Sequence, residues 1–333
     1  MRKAALLTLA IAVGSALSAA DTITRQDLTL LPDEIFRTLG NSNRVLAREM
    51  REFRGSPAYV LLDGDGKIAL DRAITFFERY GELGRNPERL TDFFNGMAVL
   101  AKRSPDAATP KDNESWWYSP QCKLERGDIV LARSADVWSD YFANVSSSDK
   151  RFSHIAVVLT GGESPMLVET DNDENGETHF SKREWAEVCG CAVDCAVFRL
   201  KGNEAVRSRI GDEAEKCIGI PFDPTFDLNT KDRLYCAEMV RDCVNEAAGR
   251  EVIGTSRKGD FEYVAVDDCY RNEMTKVWDC RDEKPIADSG AKQAEEQPAQ
   301  EPSPRPVVVD AASTTNAPVR RTIRFIPKSR GRR

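Results

Sequence analysis

All nine cysteines and both histidines of this 333-residue chain fall between Cys122 and Cys280. Such a distribution places the chemistry in one domain and leaves the flanking sequence to be read separately. The same interval holds the strand signals: Gly127-Asp128-Ile129-Val130-Leu131-Ala132, the run 154–159, and the run 166–170. Each is short, apolar or β-branched, and bounded by polar or glycine-containing turns. Nine is an odd number, so complete disulfide pairing still leaves one thiol free. With 41% hydrophobic residues the chain can bury a sizeable core, as one large domain or two ordinary ones. A net charge of −7 argues against a nucleic-acid binder.

The first 20 residues read as an address. Arg2 and Lys3 give a basic start, residues 4–13 are apolar except for Thr8, and Ser18-Ala19-Ala20 supplies small residues before Asp21. This is the layout of a secretory signal peptide, and the run is too short to span a bilayer. Its removal takes Arg2 and Lys3 with it, so the mature charge becomes −9. The chain is therefore expected to be exported, to a periplasm or the extracellular space, where its cysteines meet an oxidising environment.

Residues 21–115 read as a helical accessory domain without cysteine. Asn41-Ser42 is a cap signal for a helix over 44–53 that stops at Gly55, and Asn86-Pro87 opens another. Within it, residues 61–72 resemble a degenerate EF-hand loop. Asp63, Asp65, Gly66 and Ile68 fall on the third, fifth, sixth and eighth loop positions, while Leu61 and Arg72 occupy the first and twelfth. A calcium ion needs about six or seven oxygens, which this loop alone does not supply. The other reading of the segment is a hairpin turning through Asp63-Gly64-Asp65-Gly66. Residues 104–120 form a polar linker, 118–281 the cysteine-bearing domain, and 282–333 a tail too poor in apolar residues to order itself. The tail ends basic, with seven Lys or Arg among residues 320–333. Arg320 and Arg333 bound a run suited to anionic surfaces or simply to solubility.

Thr160-Gly161-Gly162-Glu163 separates two of the strands. A two-residue Gly-Gly turn would set His154 directly opposite Glu169, with Cβ atoms about 5 Å apart. Pro165 weakens that register. A wider loop sets Ala156 opposite Glu169 instead and leaves His154 and Glu169 diagonal on one face. In either register a carboxylate can orient the imidazole. The matching nucleophile is Cys236, in Leu234-Tyr235-Cys236-Ala237-Glu238-Met239-Val240. Val240, Val244 and Ala247 mark an apolar helical stripe, and Gly249 marks its end. With Asp232 as cap, Cys236 sits in the first turn, where the helix dipole and an imidazolium favour thiolate. Backbone N–H groups there can also hold an oxyanion. Cys243 is about 10.5 Å further along the same face, so Cys236 and Cys243 do not pair. Cys122, Cys189, Cys191, Cys195, Cys217, Cys243, Cys269 and Cys280 are candidates for disulfides. The Cys189-Gly-Cys191 cluster has neither a second paired motif nor a histidine, so bridges are preferred to a metal site. His179 stands in a polar stretch and reads as a surface residue.

The ordered set of motifs resembles the permuted papain-like amidases of the YaeF/YiiX type, relatives of the NlpC-type cell-wall peptidases and of lecithin retinol acyltransferase. The matching pieces are residues 126–131, 152–159, 167–170, 219–223 and 234–240, with the histidine strand before the cysteine helix as in the permuted families. The resemblance implies an α+β fold, an antiparallel sheet with a catalytic helix. It implies Cys236 as nucleophile, His154 as general base and then acid, and Glu169 as the residue that orients the imidazole. No cofactor or metal is implied. Phe222 stands where members often have tyrosine. The implied activity is cleavage of an amide, peptide or lipid-linked, through a thioester, with a cell-envelope substrate suiting an exported enzyme. A thioesterase or acyltransferase would use the same three residues. An inactive, disulfide-stapled binding or scaffold protein is the reading from a different class.

Overall fold

The strands 129–134 and 154–160 are almost continuously apolar because both of their faces are covered. The computed structural model describes residues 33–83, 86, 88–93, 96, 123–134, 139, 142–162, 164–173, 175–189 and 192–282. The predicted signal peptide, the linker at 104–120, residues 283–333 of the predicted tail, Cys122 and Cys191 lie outside the described residues.

Six strands form one antiparallel sheet: β1 (Ile129–Ser134), β2 (His154–Thr160), β3 (Met166–Asn172), β4 (Thr178–Glu184), β5 (Ala192–Leu200) and, as a late return, the strand Met274–Asp279, here β8. Their order is β4-β3-β2-β1-β5-β8. Ile155, Val157 and Leu159 join Ile129, Leu131, Val168 and Phe180 in the larger core. The alternate positions Ala156 and Val158 join Val130, Ala132, Leu167, Trp185 and Trp278 in a second cluster on the other face. The short helix α3 (Trp185–Cys189) supplies the Trp185 of that cluster. A small two-stranded ribbon, β6 (Ser256–Lys258) with β7 (Phe261–Tyr263), follows the helices of the domain.

Two helices pack on the larger core. In α4 (Glu204–Lys216), capped by Asn203, Ile210 and Ala214 are buried. In α5 (Cys236–Ala248), Val240, Cys243, Val244 and Ala247 form the buried stripe, and Gly249 ends the helix with φ of 67°. The permuted papain-like α+β fold expected from the sequence is the fold observed. Glycine is required at position 127, just before β1. Its φ is 83°, and a Cβ there would stand 1.8 Å from the carbonyl oxygen of Arg207. No side chain fits so close to backbone.

The helical segment shares this core. α1 (Asp33–Gly55) and α2 (Gly64–Arg79) bury Ala47, Met50, Phe53, Leu70, Ala73 and Phe77 in the same cluster as the sheet and α5. Phe53 meets Phe226 edge-on at 5.6 Å, and Phe226 lies 4.6 Å from the ring of Tyr235. Phe226 holds φ of 55°, a costly conformation for a bulky residue that persists where packing over-determines it.

Two local expectations are corrected. Asn41 and Ser42 lie inside α1 rather than capping it, because tertiary contacts hold the helix through them: Asn43 donates to the Tyr80 carbonyl at 2.9 Å, and a Cβ on Gly40 would come within 2.9 Å of the Gly81 carbonyl. The Asp-Gly-Asp-Gly run is neither an EF-hand-like loop nor a hairpin. Asp63 is the N-cap of α2, its carboxylate accepting from Gly66 N–H at 2.7 Å, and the remaining residues turn as helix. Asn86 caps as expected, accepting from the N–H groups of Glu88 and Arg89 at 3.0 and 3.2 Å.

Candidate active site

Glu169 lies in the middle of β3 and His154 at the start of β2. Val157 pairs with Val168 and Val158 with Leu167, which is the wider-loop register, with an irregularity before Thr160. The direct opposition of His154 and Glu169 is thereby corrected: Pro165 has no N–H to give to a tight ladder, and the connection widens. The two side chains still meet diagonally, His154 Nε2 to Glu169 Oε2 at 2.7 Å.

Cys236 is the first residue of α5, close enough to His154 for its sulfur to influence the charge on the imidazole. The N-cap is Tyr235, in extended conformation, not Asp232. Tyr235 is placed from both sides. Its neighbour Leu234 donates its N–H to Pro221 O at 3.1 Å and accepts from Asp223 N–H at 2.9 Å. Its own phenolic oxygen accepts the N–H of Val264 at 2.6 Å. Asp223, fully buried, organises the turn before it by accepting from Thr225 N–H and Oγ1 at 2.9 and 2.6 Å, Asp227 N–H at 3.1 Å and Thr230 Oγ1 at 3.1 Å. The chain therefore enters α5 on a fixed path, with Cys236 at its end and only 8% exposed.

The electrostatics of the group favour a charged imidazole. Burial opposes the charge on His154, but its hydrogen bonds to Cys236 and Glu169 outweigh that cost and raise its pKa to about 10. Glu238, on the first turn of the same helix, is pushed by burial to about 8, with Asp242 adding to the rise. At neutral pH it is mostly uncharged, so it adds little negative charge beside Cys236.

Arg183 on β4 was not found from the sequence. Its guanidinium pairs with Asp171, reaches Glu187 at 2.9 Å, and stands 3.9 Å from Glu169 Oε1, opposite the oxygen that holds His154. Leu167 pairs with Arg183 and Glu169 with Ser181, so alternation puts Arg183 on the face of Glu169. That placement depends on the β3–β4 register, which no sequence motif announces. His179, also on β4, bonds with the Glu177 carbonyl at 3.2 Å. Phe222 packs edge-on against Phe142 at 6.0 Å.

Residues 123–270 match the family model of the permuted papain-like amidase enzymes, YaeF/YiiX, C92 family. This part of the chain is similar to the permuted papain-like amidases. No curated protein and no solved structure gives a significant match to the chain. The amidase match takes in β1 through α5, and with them His154, Glu169 and Cys236; α1, α2 and β8 lie outside it.

Asp194, Asp279 and Cys280 also converge, at the far end of the β5–β8 pairing. Their oxygens are already engaged by cations: Arg151 bridges both carboxylates, with 2.6 Å contacts to each, Arg281 joins Asp194, and Lys276 reaches Asp279 at 3.2 Å. This is an ion-pair network that fixes the strand ends. Cys195, Cys217, Cys236, Cys243, Cys269 and Cys280 are free thiols.

Proposed function

We propose that this domain is an exported cysteine hydrolase that cleaves an amide bond through a thioester acyl-enzyme, with a peptide or lipid-linked amide of the cell envelope as substrate. The observation that carries the proposal is the relay from Glu169 through His154 to Cys236. Glu169 fixes the imidazole through Nε2, and its other ring nitrogen is left available to exchange a proton. With a pKa of about 10, His154 is an imidazolium at neutral pH. An imidazolium beside a sulfur is the arrangement that makes cysteine nucleophilic.

In the proposed reaction the sulfur of Cys236 attacks the amide carbonyl. The oxyanion is held by the unpaired backbone N–H groups that begin α5. His154 gives its proton to the leaving amine as the carbon–nitrogen bond breaks, and a thioester remains. A water then enters, loses a proton to His154, and attacks the thioester. The acid departs and Cys236 is restored. Residues from β2, β3 and α5 keep this geometry through their own packing, which lowers the entropic cost of aligning the groups.

Alkylation tests the reading without knowledge of the substrate. At pH 6, iodoacetamide is expected to label Cys236 of the native protein on the order of 100-fold faster than in a His154→Ala variant, since an ordinary thiol is mostly protonated there. The two rates converge as pH rises above about 9. Equal rates at pH 6, read by mass-spectrometric mapping, would remove the imidazole from the mechanism.

A further inference from the structure

Arg183 crosses the row of the sheet that carries Glu169. In the β3–β4 register Leu167 faces Arg183, Glu169 faces Ser181 and Asp171 faces His179. These alternate residues share one face, in rows about 7 Å apart along the strands. Arg183 starts in the first row, yet its guanidinium pairs with Asp171 in the third. The side chain is therefore laid along the strand, over the row between. There its Nη1 comes to 3.9 Å from Glu169 Oε1, while Glu169 Oε2 holds His154 Nε2 at 2.7 Å. Ser181, in the facing position, does not hold Glu169: its buried hydroxyl has no hydrogen-bond partner among the described residues.

The guanidinium is itself fixed. Its Nε reaches Glu187 Oε2, on the short helix α3, at 2.9 Å, and its side chain is only 13% exposed. Burial works against the charge of Arg183, but Glu169 and Asp171 outweigh it and keep the guanidinium protonated. Burial also raises the pKa of Asp171; Arg183 opposes that rise and Glu169 adds to it. Glu169 and Asp171 are thus two like charges on one face, with one cation between them.

We propose that Arg183 is a positioning residue for the proposed hydrolysis: it holds one oxygen of Glu169, so that the other stays on His154 and the imidazolium stays beside Cys236. The inference rests on the relay from Glu169 through His154 to Cys236. Without the cation, Glu169 and Asp171 repel one another. The pair relieves the repulsion by taking up a proton or by swinging apart, and either response loosens the imidazole. Arg183 acts through Glu169, so its effect must vanish once Glu169 has lost its charge.

The experiment reads the rate at which iodoacetamide labels Cys236 at pH 6 in the full chain. Arg183→Gln is expected to slow labelling about tenfold, the size of one pKa unit between sulfur and imidazole. Glu169→Gln alone should slow it about 30-fold, and adding Arg183→Gln to that background should cost less than about twofold more. Arg183→Lys keeps the charge and should stay within about threefold of the native rate. The charge-balanced variant Arg183→Gln with Asp171→Asn removes the ion pair at constant net charge, which keeps the test open if Arg183→Gln alone does not fold. It should be as slow as Arg183→Gln. A residue that only braces the fold would slow labelling by the same factor with Glu169 or with glutamine at position 169, and that result would overturn the proposal. Native-like labelling in Arg183→Gln or in the charge-balanced variant, beside slow labelling in Glu169→Gln, would overturn it and leave the relay standing. Native-like labelling in Glu169→Gln itself would overturn the relay and the inference together.

Discussion

Cys236→Ala is expected to lower kcat/KM for any amide that the native protein hydrolyses by about 10⁴-fold or more, with little change in Tm. The stability expectation follows from the site: Cys236 is small, and its helix starts on Tyr235, Leu234 and Asp223 rather than on the thiol. His154→Ala should cost a comparable factor, and the double variant little more than either single one, because residues that act as a unit are not additive. Glu169→Gln should fall between, by about 10²-fold or more, since it keeps the shape but loses the charge that orients and stabilises the imidazolium. Retention of activity within tenfold in Cys236→Ala would place the nucleophile elsewhere. The raised pKa of His154 has a second consequence. Its pairing stabilises the fold fully below about pH 6.5 and loses that contribution as pH rises through about 10. Glu169→Gln should therefore lower Tm more at pH 6 than at pH 10.5.

The largest effect on stability is expected at Asp267, in the 3-10 helix Val266–Tyr270. Its carboxylate is fully buried and accepts from the N–H groups of Ser147, Ser148 and Asp149 at 2.7, 2.9 and 3.0 Å. The hydroxyls of Ser147 and Ser148 both reach it at 3.0 Å, and Arg271 pairs with it. Asp267→Ala strands these donors at once and should cost about 3–5 kcal/mol, a fall in Tm of about 10 °C or more by calorimetry. Burial works against the charge of Asp267, but the three backbone N–H bonds overcome it and hold its pKa below the usual carboxylate value. Its stabilisation is thus present above the unfolded-state value near 3.9 and lost as pH falls through the folded one. The anchored segment leads directly to Phe152, Ser153 and His154, so labelling of Cys236 at pH 6 should also slow in Asp267→Ala. A Tm within 2 °C of the native value would show that the segment is held by something else.

Much of the candidate site was legible because its signals are local. The strands at β1, β2 and β3 announce themselves as apolar runs, and Gly249 ends α5 at the expected place. The residues singled out from order and spacing, His154, Glu169 and Cys236, are neighbours in space. What the sequence could not fix was governed by partners far along the chain. The register of β2 against β3 turned on the width of one glycine loop. The cap of α5 went to Tyr235 because Pro221, Asp223 and Val264 hold its surroundings, and no cap preference reports on those. Arg183 belongs to the site only through pairing of β3 with β4. Asp63 carried a capping signal that the likeness to a calcium loop obscured, since an aspartate followed by glycines serves either purpose.

The aromatic chain from Phe53 through Phe226 to Tyr235 sets where this protein can be cut. A fragment trimmed to the matched residues 123–270 would lose α1, α2 and β8 together. The surfaces that Met50, Phe53, Leu61 and Phe77 now cover would face water, beside the turn that ushers in Cys236. Such a fragment is expected to be recovered as aggregate, while one spanning residues 33–282 stays monodisperse on size-exclusion chromatography. The smallest piece fit for biochemistry is therefore larger than the matched piece.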